Sequence, residues 1–166
     1  TGDELWWLFE TARTMESIVE IGCWRGRSTF ALCNGCPSKV YAVDHFLGSS
    51  EHQLTIEKLG PTYEEFMQSM RRFDNLRVFP MTSLAAAESK LIPQKIDMIF
   101  IDGSHDYEDV RRDLYWWAPR ATKLICGHDW DEVCVLRACK EYFDQHGLPI
   151  MTVPGTQIWF VNLGGR

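Results

Sequence analysis

Ser17-Ile18-Val19-Glu20-Ile21-Gly22-Cys23-Trp24-Arg25-Gly26-Arg27-Ser28-Thr29 is the stretch that decides the fold. The run 17–21 is short and β-branched, and it ends on a glycine, so it predicts a buried strand followed by a turn. Residues 28–34 then read as a helix, closed by Gly35 and Pro37. Glycines between a strand and a helix let backbone approach a ligand at the helix start. A dinucleotide fingerprint would need GxGxxG, and Trp24 stands where its second glycine should be. A phosphate-gripping loop would need four residues between its glycines and then Lys, but here three intervene and Arg27 follows. The pattern that fits as written is acidic-x-Gly-x-x-x-Gly, Glu20 to Gly26. A plain turn capped by Ser28 or Thr29 is the structural alternative.

The alternation continues outward in both directions. Residues 3–13 carry a helical stripe of Leu5, Leu8, Phe9 and Ala12. Strands are predicted at Lys39–Val43, Leu76–Phe79, Ile96–Ile101 and 123–126, with helices over 83–91, Tyr107–Trp117 and 131–145 and a polar, helical stretch over 48–72. Residues 150–153 and 157–161 flank Pro154-Gly155 as a hairpin. Strand and helix in turn imply parallel strands with crossover helices on both faces of one sheet. Ligands bind beyond the carboxyl ends of such strands. The strand ends are therefore the places to look: Glu20-Ile21-Gly22, Asp44-His45, Met81-Thr82-Ser83, Asp102-Gly103-Ser104-His105 and Gly127-His128-Asp129.

Composition narrows the classes. The chain has 166 residues, 45% hydrophobic and 24% charged, which excludes a wholly disordered or collagen-like chain and suits one domain over residues 1–166. The net charge of −6 disfavours coating of nucleic acid or anionic lipid, and no apolar run reaches the roughly 20 residues of a membrane span. The acidic start, Thr1-Gly2-Asp3-Glu4, lacks a secretion-signal layout, and three of the six cysteines sit in apolar or helix-like runs that suit reduced thiols, so a cytoplasmic location is expected. Cys33 and Cys36 form a lone CxxC with no second pair at zinc-ribbon spacing. Trp6-Trp7 and Trp116-Trp117 each supply a core indole, and the remaining partners carry the expectation of a homo-oligomer.

Two groups of side chains could carry chemistry. Asp44 stands 22 residues after Gly22, where a carboxylate can accept hydrogen bonds from both ribose hydroxyls. Asp102 at the tip of the fourth strand lies within reach of His128 and Asp129 at the tip of the fifth, and this donor set suits a hard or borderline divalent cation. The alternative for these acids is helix capping, by Asp106 on one helix and by Asp129 or Asp131 on the next.

Val-Glu-Ile-Gly-Cys-Trp-Arg-Gly-Arg-Ser-Thr, Val-Asp-His, Phe-Ile-Asp-Gly-Ser-His-Asp-Tyr and Gly-His-Asp-Trp, in that order, resemble the class I S-adenosylmethionine-dependent methyltransferases. The Ile-Asp-Gly-x-His-x-Tyr segment resembles their small-molecule O-methyltransferase branch. The resemblance runs from about Ser17 to Trp130. It implies a doubly wound, Rossmann-like, mostly parallel seven-stranded sheet with an antiparallel last strand, as a three-layer α/β/α domain. It further implies that Glu20, Gly22, Cys23, Trp24, Gly26 and Ser28 surround the methionine part of S-adenosylmethionine. Asp44 would hold the ribose with His45 beside it, Thr82 and Ser83 would lie near the adenine, and Asp102 would border the cofactor. Metal-dependent relatives imply Asp102, His128 and Asp129 as ligands of Mg2+ or Mn2+, with His128 a departure from the usual acid or amide. His105, three residues beyond Asp102, takes the place of the proton acceptor, so Asp102 and His105 are the expected catalytic pair.

A sulfonium methyl is already activated, so alignment and exclusion of water do most of the work. A hydroxyl nucleophile also needs its proton removed, which a cation and His105 together could do. Methylation of a hydroxyl-bearing small molecule or sugar is therefore the expected activity, with no nucleic acid or membrane as partner. The alternatives are a non-catalytic S-adenosylmethionine-binding or interaction module of the same fold, distinguished by whether residues 48–72 cover the site, and a nicotinamide-dependent oxidoreductase, which the missing GxGxxG disfavours.

Overall fold

The computed structural model describes residues 1–48 and 62–164. Most of the predicted helical stretch 48–72, with His52, therefore lies outside the described residues.

The elements follow in the order α1 (Gly2–Ala12), β1 (Ser17–Ile21), α2 (Arg27–Gly35), β2 (Lys39–Val43), α3 (Thr62–Met70), β3 (Leu76–Phe79) and α4 (Ser83–Glu88). Then come β4 (Ile96–Ile101), α5 (Tyr107–Trp117), a 3-10 turn (Ala118–Arg120), β5 (Ala121–Gly127), α6 (Val133–Gln145), β6 (Met151–Thr152) and β7 (Trp159–Asn162). The sheet has seven strands in the order β3-β2-β1-β4-β5-β7-β6. β1 to β5 are parallel, and β7 runs antiparallel between β5 and β6. This is the doubly wound, Rossmann-like arrangement that the resemblance implied, with the parallel strands and crossover helices that the alternation predicted.

Side chains that alternate along each strand build two separate cores, one on each face. Ile18, Met98 and Phe100 point to the side covered by Leu8 and Ala12 of α1, Leu32 of α2 and Phe66 and Met70 of α3. Val19, Ile99 and Ile101 point to the other side, under Ala86 of α4, Leu114 and Trp117 of α5 and Phe143 of α6. Strands buried on both faces have no polar side to show, which is why β1 and β4 are largely apolar, with Glu20 and Asp97 as their acids.

Register aligns the strand ends. Ile21 pairs with both Val43 and Ile101, and Ile101 pairs with Gly127. The next residues along are stitched the same way: Gly22 N–H donates to Val43 O at 2.9 Å, Asp102 N–H to Ile21 O at 2.8 Å and His128 N–H to Ile101 O at 3.1 Å. The order in which successive strands are added reverses between the parallel neighbours β1 and β4, and a crevice opens outside such a switch point.

Several local expectations are corrected. α2 starts from Gly26 in a left-handed conformation with no side-chain cap, so neither Ser28 nor Thr29 caps it. α6 starts at Val133 with no side-chain cap, so the capping roles of Asp129 and Asp131 are not used. Asp106 holds the cap position of α5 without a side-chain bond to it. β5 extends to Ala121–Gly127 and α4 stops at Glu88, three residues short of the predicted end. All six cysteines are free thiols, and only Cys134 is exposed. Trp117 is fully buried while Trp6 is 64% exposed, so each indole pair does supply a packed member, with Trp7 in a tilted ring contact with Phe160.

Candidate active site

The glycine turn takes its shape from two left-handed residues, Gly22 at φ +85° and Gly26 at φ +84°. Cβ atoms at these positions would be strained and obstructed. At Gly26 one would sit 3.0 Å from both Met70 and Phe66 of α3, so this helix rests directly on the turn. Trp24, between the two glycines, is itself at φ +42°. Asp44 holds the turn from β2: its Oδ2 accepts the N–H groups of Cys23 and Trp24, each at 2.8 Å, and its Oδ1 accepts Phe46 N–H at 2.6 Å. One carboxylate thus ties the end of β2 to the β1–α2 turn.

A cavity of about 360 Å³ lies above these groups. Seven of the predicted cofactor residues line it: Gly22, Trp24, Asp44, His45, Thr82, Ser83 and Asp102. Four do not: Glu20, Cys23, Gly26 and Ser28. Thr82 also caps α4 by accepting Ala85 N–H at 3.2 Å, and His45 Nδ1 accepts Leu47 N–H at 3.0 Å.

Glu20 is completely buried, with Thr29 Oγ1 donating to its Oε2 at 2.5 Å and its Oε1 without a partner among the described residues. Burial pushes its carboxyl up to about 7. The folded chain therefore holds this proton above the pH at which the unfolded chain, near 4.5, has released it. Stability from this group is intact below pH 4.5 and falls as pH rises toward 7, by about 1.4 kcal/mol per unit. Glu20→Gln carries no proton to lose. Its stability relative to the parent is expected to rise by about 3 kcal/mol between pH 4.5 and 8, read by urea denaturation. Parallel curves for the two proteins would mean that Glu20 is ionised in the fold.

The second cluster stands at the tips of β4 and β5. Asp102, His128 and Asp129 bring one ligand atom each within 4.8 Å of one another. His128 Nδ1 lies 3.0 Å from Asp129 Oδ1 and 3.8 Å from Asp102 Oδ1. His105 Nε2 meets Asp129 Oδ2 at 2.8 Å. Burial alone would raise Asp129, but hydrogen bonds from His105 and His128 outweigh it and hold the carboxyl well below the usual range. Asp102 moves the other way, pushed up by burial and by Asp129 and Glu20, against His128 and His105. Asp129 also sits at φ +58°, a strained backbone for a residue with a Cβ, and such strain clusters at functional sites.

One member of this cluster escaped the sequence reading. Glu4 of α1 is buried, accepts Gln157 N–H at 3.2 Å and lies 3.3 Å from His128 Nε2. That pairing turns Nδ1 of His128 toward Asp102 and Asp129. The missed signal is the position of an acid in the buried stripe Glu4-Leu8-Ala12.

A parallel sheet with a glycine turn, an acid at the end of β2 and an acid–imidazole cluster at the ends of β4 and β5 is the arrangement in which open α/β sheets bind nucleotide-type ligands. Residues 19–130 match the methyltransferase-domain family, and the chain belongs to that family. Among solved structures it is similar to cofactor-bound Rv0187 from MTB, at TM-score 0.75 and 17% identity, covering 100% of this chain and 82% of that one. It is also similar to the O-methyltransferase TomG from Streptomyces achromogenes in complex with SAM, at TM-score 0.74 and 11% identity, covering 99% and 81%. The O-methyltransferase from Bacillus cereus in complex with SAH has TM-score 0.71 and 15% identity, covering 98% and 81%. A curated relative, the uncharacterised protein y4gI of Sinorhizobium fredii, is 23% identical in an alignment 165 positions long that covers 87% of this chain. The chain spans only 18% of that protein's length. No described helix is long and apolar enough to cross a membrane.

Proposed function

We propose that the chain is an S-adenosylmethionine-dependent methyltransferase acting on the hydroxyl oxygen of a small molecule or sugar. The observation that carries this reading is the shared row of strand ends. Gly22, Asp44 and Asp102 line one cavity of small-ligand size, and Asp102 alone belongs both to that cavity and to the His105–His128–Asp129 cluster. A ligand in the cavity and an acceptor over the cluster would therefore meet at Asp102.

The cavity fits the cofactor: an acid stands at its β2 wall, and hydroxyl and carboxylate groups of Thr82, Ser83 and Asp113 stand at its far wall. S-adenosylmethionine bound there supplies a methyl group already activated on a sulfonium. The protein's part is positional. Asp44 holds the turn that forms the floor, the side chains of the cavity wall exclude water, and Asp102 marks the boundary with the acceptor. His105, held by Asp129 at 2.8 Å, would take the hydroxyl proton.

The donor set also fits a divalent cation. Two carboxylates and one imidazole would hold it, and Glu4 behind His128 is the outer carboxylate that orients such a ligand. Mg2+ or Mn2+ held by Asp102, His128 and Asp129 would lower the pKa of the acceptor hydroxyl. One observation favours a second reading, in which no ion is needed. The hydrogen bond to Asp129, with Asp102 and Glu4 nearby, lifts His128 to about 9, so an imidazolium would carry the positive charge itself.

Calorimetry with S-adenosylhomocysteine tests the main reading, and absence of binding to folded protein would end it. For the ion, activity is expected to fall in chelator and return with Mg2+ or Mn2+. Full activity in excess chelator would replace the ion with the His128 imidazolium.

A further inference from the structure

A second cavity, a groove of about 750 Å³, runs between α5 and α6 and shares no lining residue with the first. Both helices leave the carboxyl edge of the sheet and return to its amino edge, so they lie side by side in the same direction. The walls of the groove are aromatic. Tyr115 and Trp116 of α5 meet edge to face with ring centres 5.6 Å apart, and Tyr142 and His146 of α6 stack at 4.4 Å. Tyr115 is 68% exposed, so its ring is open to an incoming molecule. The groove also holds a cation. Arg120, in the 3-10 turn that follows α5, lines it and is only 7% exposed. The guanidinium lies over the Trp117 ring at 4.8 Å, and its Nη2 donates to Ala87 O at 2.6 Å. Nη1 is buried and donates to nothing among the described residues. Burial alone acts on the guanidinium, pulling its pKa down, and no described acid offsets it.

We propose that this groove binds a flat aromatic carboxylate, its ring among Tyr115, Trp116 and Tyr142 and its carboxylate on Arg120. A buried cation without a counter-ion is costly, and a planar guanidinium matches a carboxylate in shape and charge. Nη1 has neither water nor protein as a partner, so an anion that reaches it displaces no existing bond. The remaining charges of the groove are already paired. Arg111 holds Glu108 at 2.9 Å, and Glu141 is held by Arg137 at 2.8 Å and by the Tyr107 hydroxyl. Tyr107 begins α5 and Arg120 lies past its end, so roughly 15 Å of helix separates the acid's tyrosine partner from the unpaired cation. Rings on both walls favour a flat apolar body, which stacks or meets them edge-on. The site stands apart from the cofactor cavity and does not depend on the reading of that cavity.

The test titrates the full chain with 2-naphthoate and with 2-naphthamide, which share a shape and differ in charge, by calorimetry at pH 7.5. Unaltered protein is expected to prefer the carboxylate by about 10- to 100-fold, the range for hydrogen bonds to a charged group. Arg120→Met is expected to bring the ratio of the two affinities to about one. Tyr115→Ala removes an exposed wall of the groove, so it serves even if the arginine variant fails to fold. It is expected to weaken both probes alike, by about 2- to 10-fold, and to keep the ratio. Equal affinity of the two probes for the unaltered protein, or no binding of 2-naphthoate at millimolar concentration, overturns the proposal. So does naphthoate affinity that neither folded variant changes, because the molecule then binds elsewhere. Sedimentation of the same samples supplies the last arm. A dimer that Tyr115→Ala splits, in protein that binds neither probe, would make a second copy of the chain the occupant and overturn the small-molecule site.

Discussion

Gly22→Ala is expected to abolish ligand binding in the cavity and to lower stability by at least about 3 kcal/mol. Two costs combine. The backbone at φ +85° is left-handed, a region that costs an L side chain about 1–2 kcal/mol. The second cost is larger, because the new Cβ would stand 2.1 Å from Asp102 O, 2.5 Å from Asp102 C and 2.6 Å from Gly103 Cα. These are backbone atoms, so no side chain can turn aside. The ends of β1 and β4 must separate, which strains the hydrogen bond from Asp102 N–H to Ile21 O and moves Asp102 away from the cavity wall. Gly155→Ala is the control. It has a similar φ of +75° and nothing within 4 Å of the added Cβ, so only the backbone cost of about 1 kcal/mol is expected. Urea denaturation and calorimetry with S-adenosylhomocysteine read both effects. Equal stability of the two variants would show that close approach of β1 to β4 is not what the glycine provides.

This contact illustrates what could be read from the chain and what could not. β1, β2, β3 and β4 were legible to the residue: β1, β2 and β4 are largely apolar runs with sharp ends at Gly22, Asp44 and Asp102, and the edge strand β3 is a short run of Leu76, Val78 and Phe79 around Arg77. The strand-end rule then named Asp102, His105, His128 and Asp129 as neighbours, and the register brings them together. What the chain did not disclose depends on packing between distant segments. Gly22 was read as a turn residue, but its tightest constraint is the backbone of Asp102, 80 positions away. Asp44 was read as a ligand contact, and it is also the strut that holds Cys23 and Trp24. Glu20 was placed with the cofactor because it precedes the glycines, yet strand alternation turns it into the core beside Thr29. Glu4 and Asp113 were passed over because each sits inside an ordinary amphipathic helix. An acid on the apolar stripe is the local sign that both shared, and its meaning appears only once the helix has been set against the sheet.

His105→Ala is expected to lower kcat by about 10²- to 10⁴-fold, the usual contribution of a positioned general base. The affinity for S-adenosylhomocysteine is expected to stay within about two-fold, since His105 does not line the cavity. The argument is geometric. Asp102 forms the common border, and His105 follows it by three residues on the β4–α5 loop, reaching over to Asp129 at the end of β5. Asp129 is shared between His105 and His128, so it fixes the position of the first ring through Oδ2 and of the second through Oδ1. Removal of the His105 ring leaves the Asp129–His128 contact standing and takes away the proton-accepting group together with its bond to Asp129 Oδ2. Turnover of S-adenosylmethionine, measured with an acceptor that the unaltered protein methylates, separates the roles. A fall in kcat at constant cofactor affinity marks His105 as the proton acceptor. A fall in both would make it a strut between β4 and β5. An unchanged kcat would mean that the acceptor reaches the site already ionised, leaving Asp102, His128 and Asp129 as the groups that hold it so.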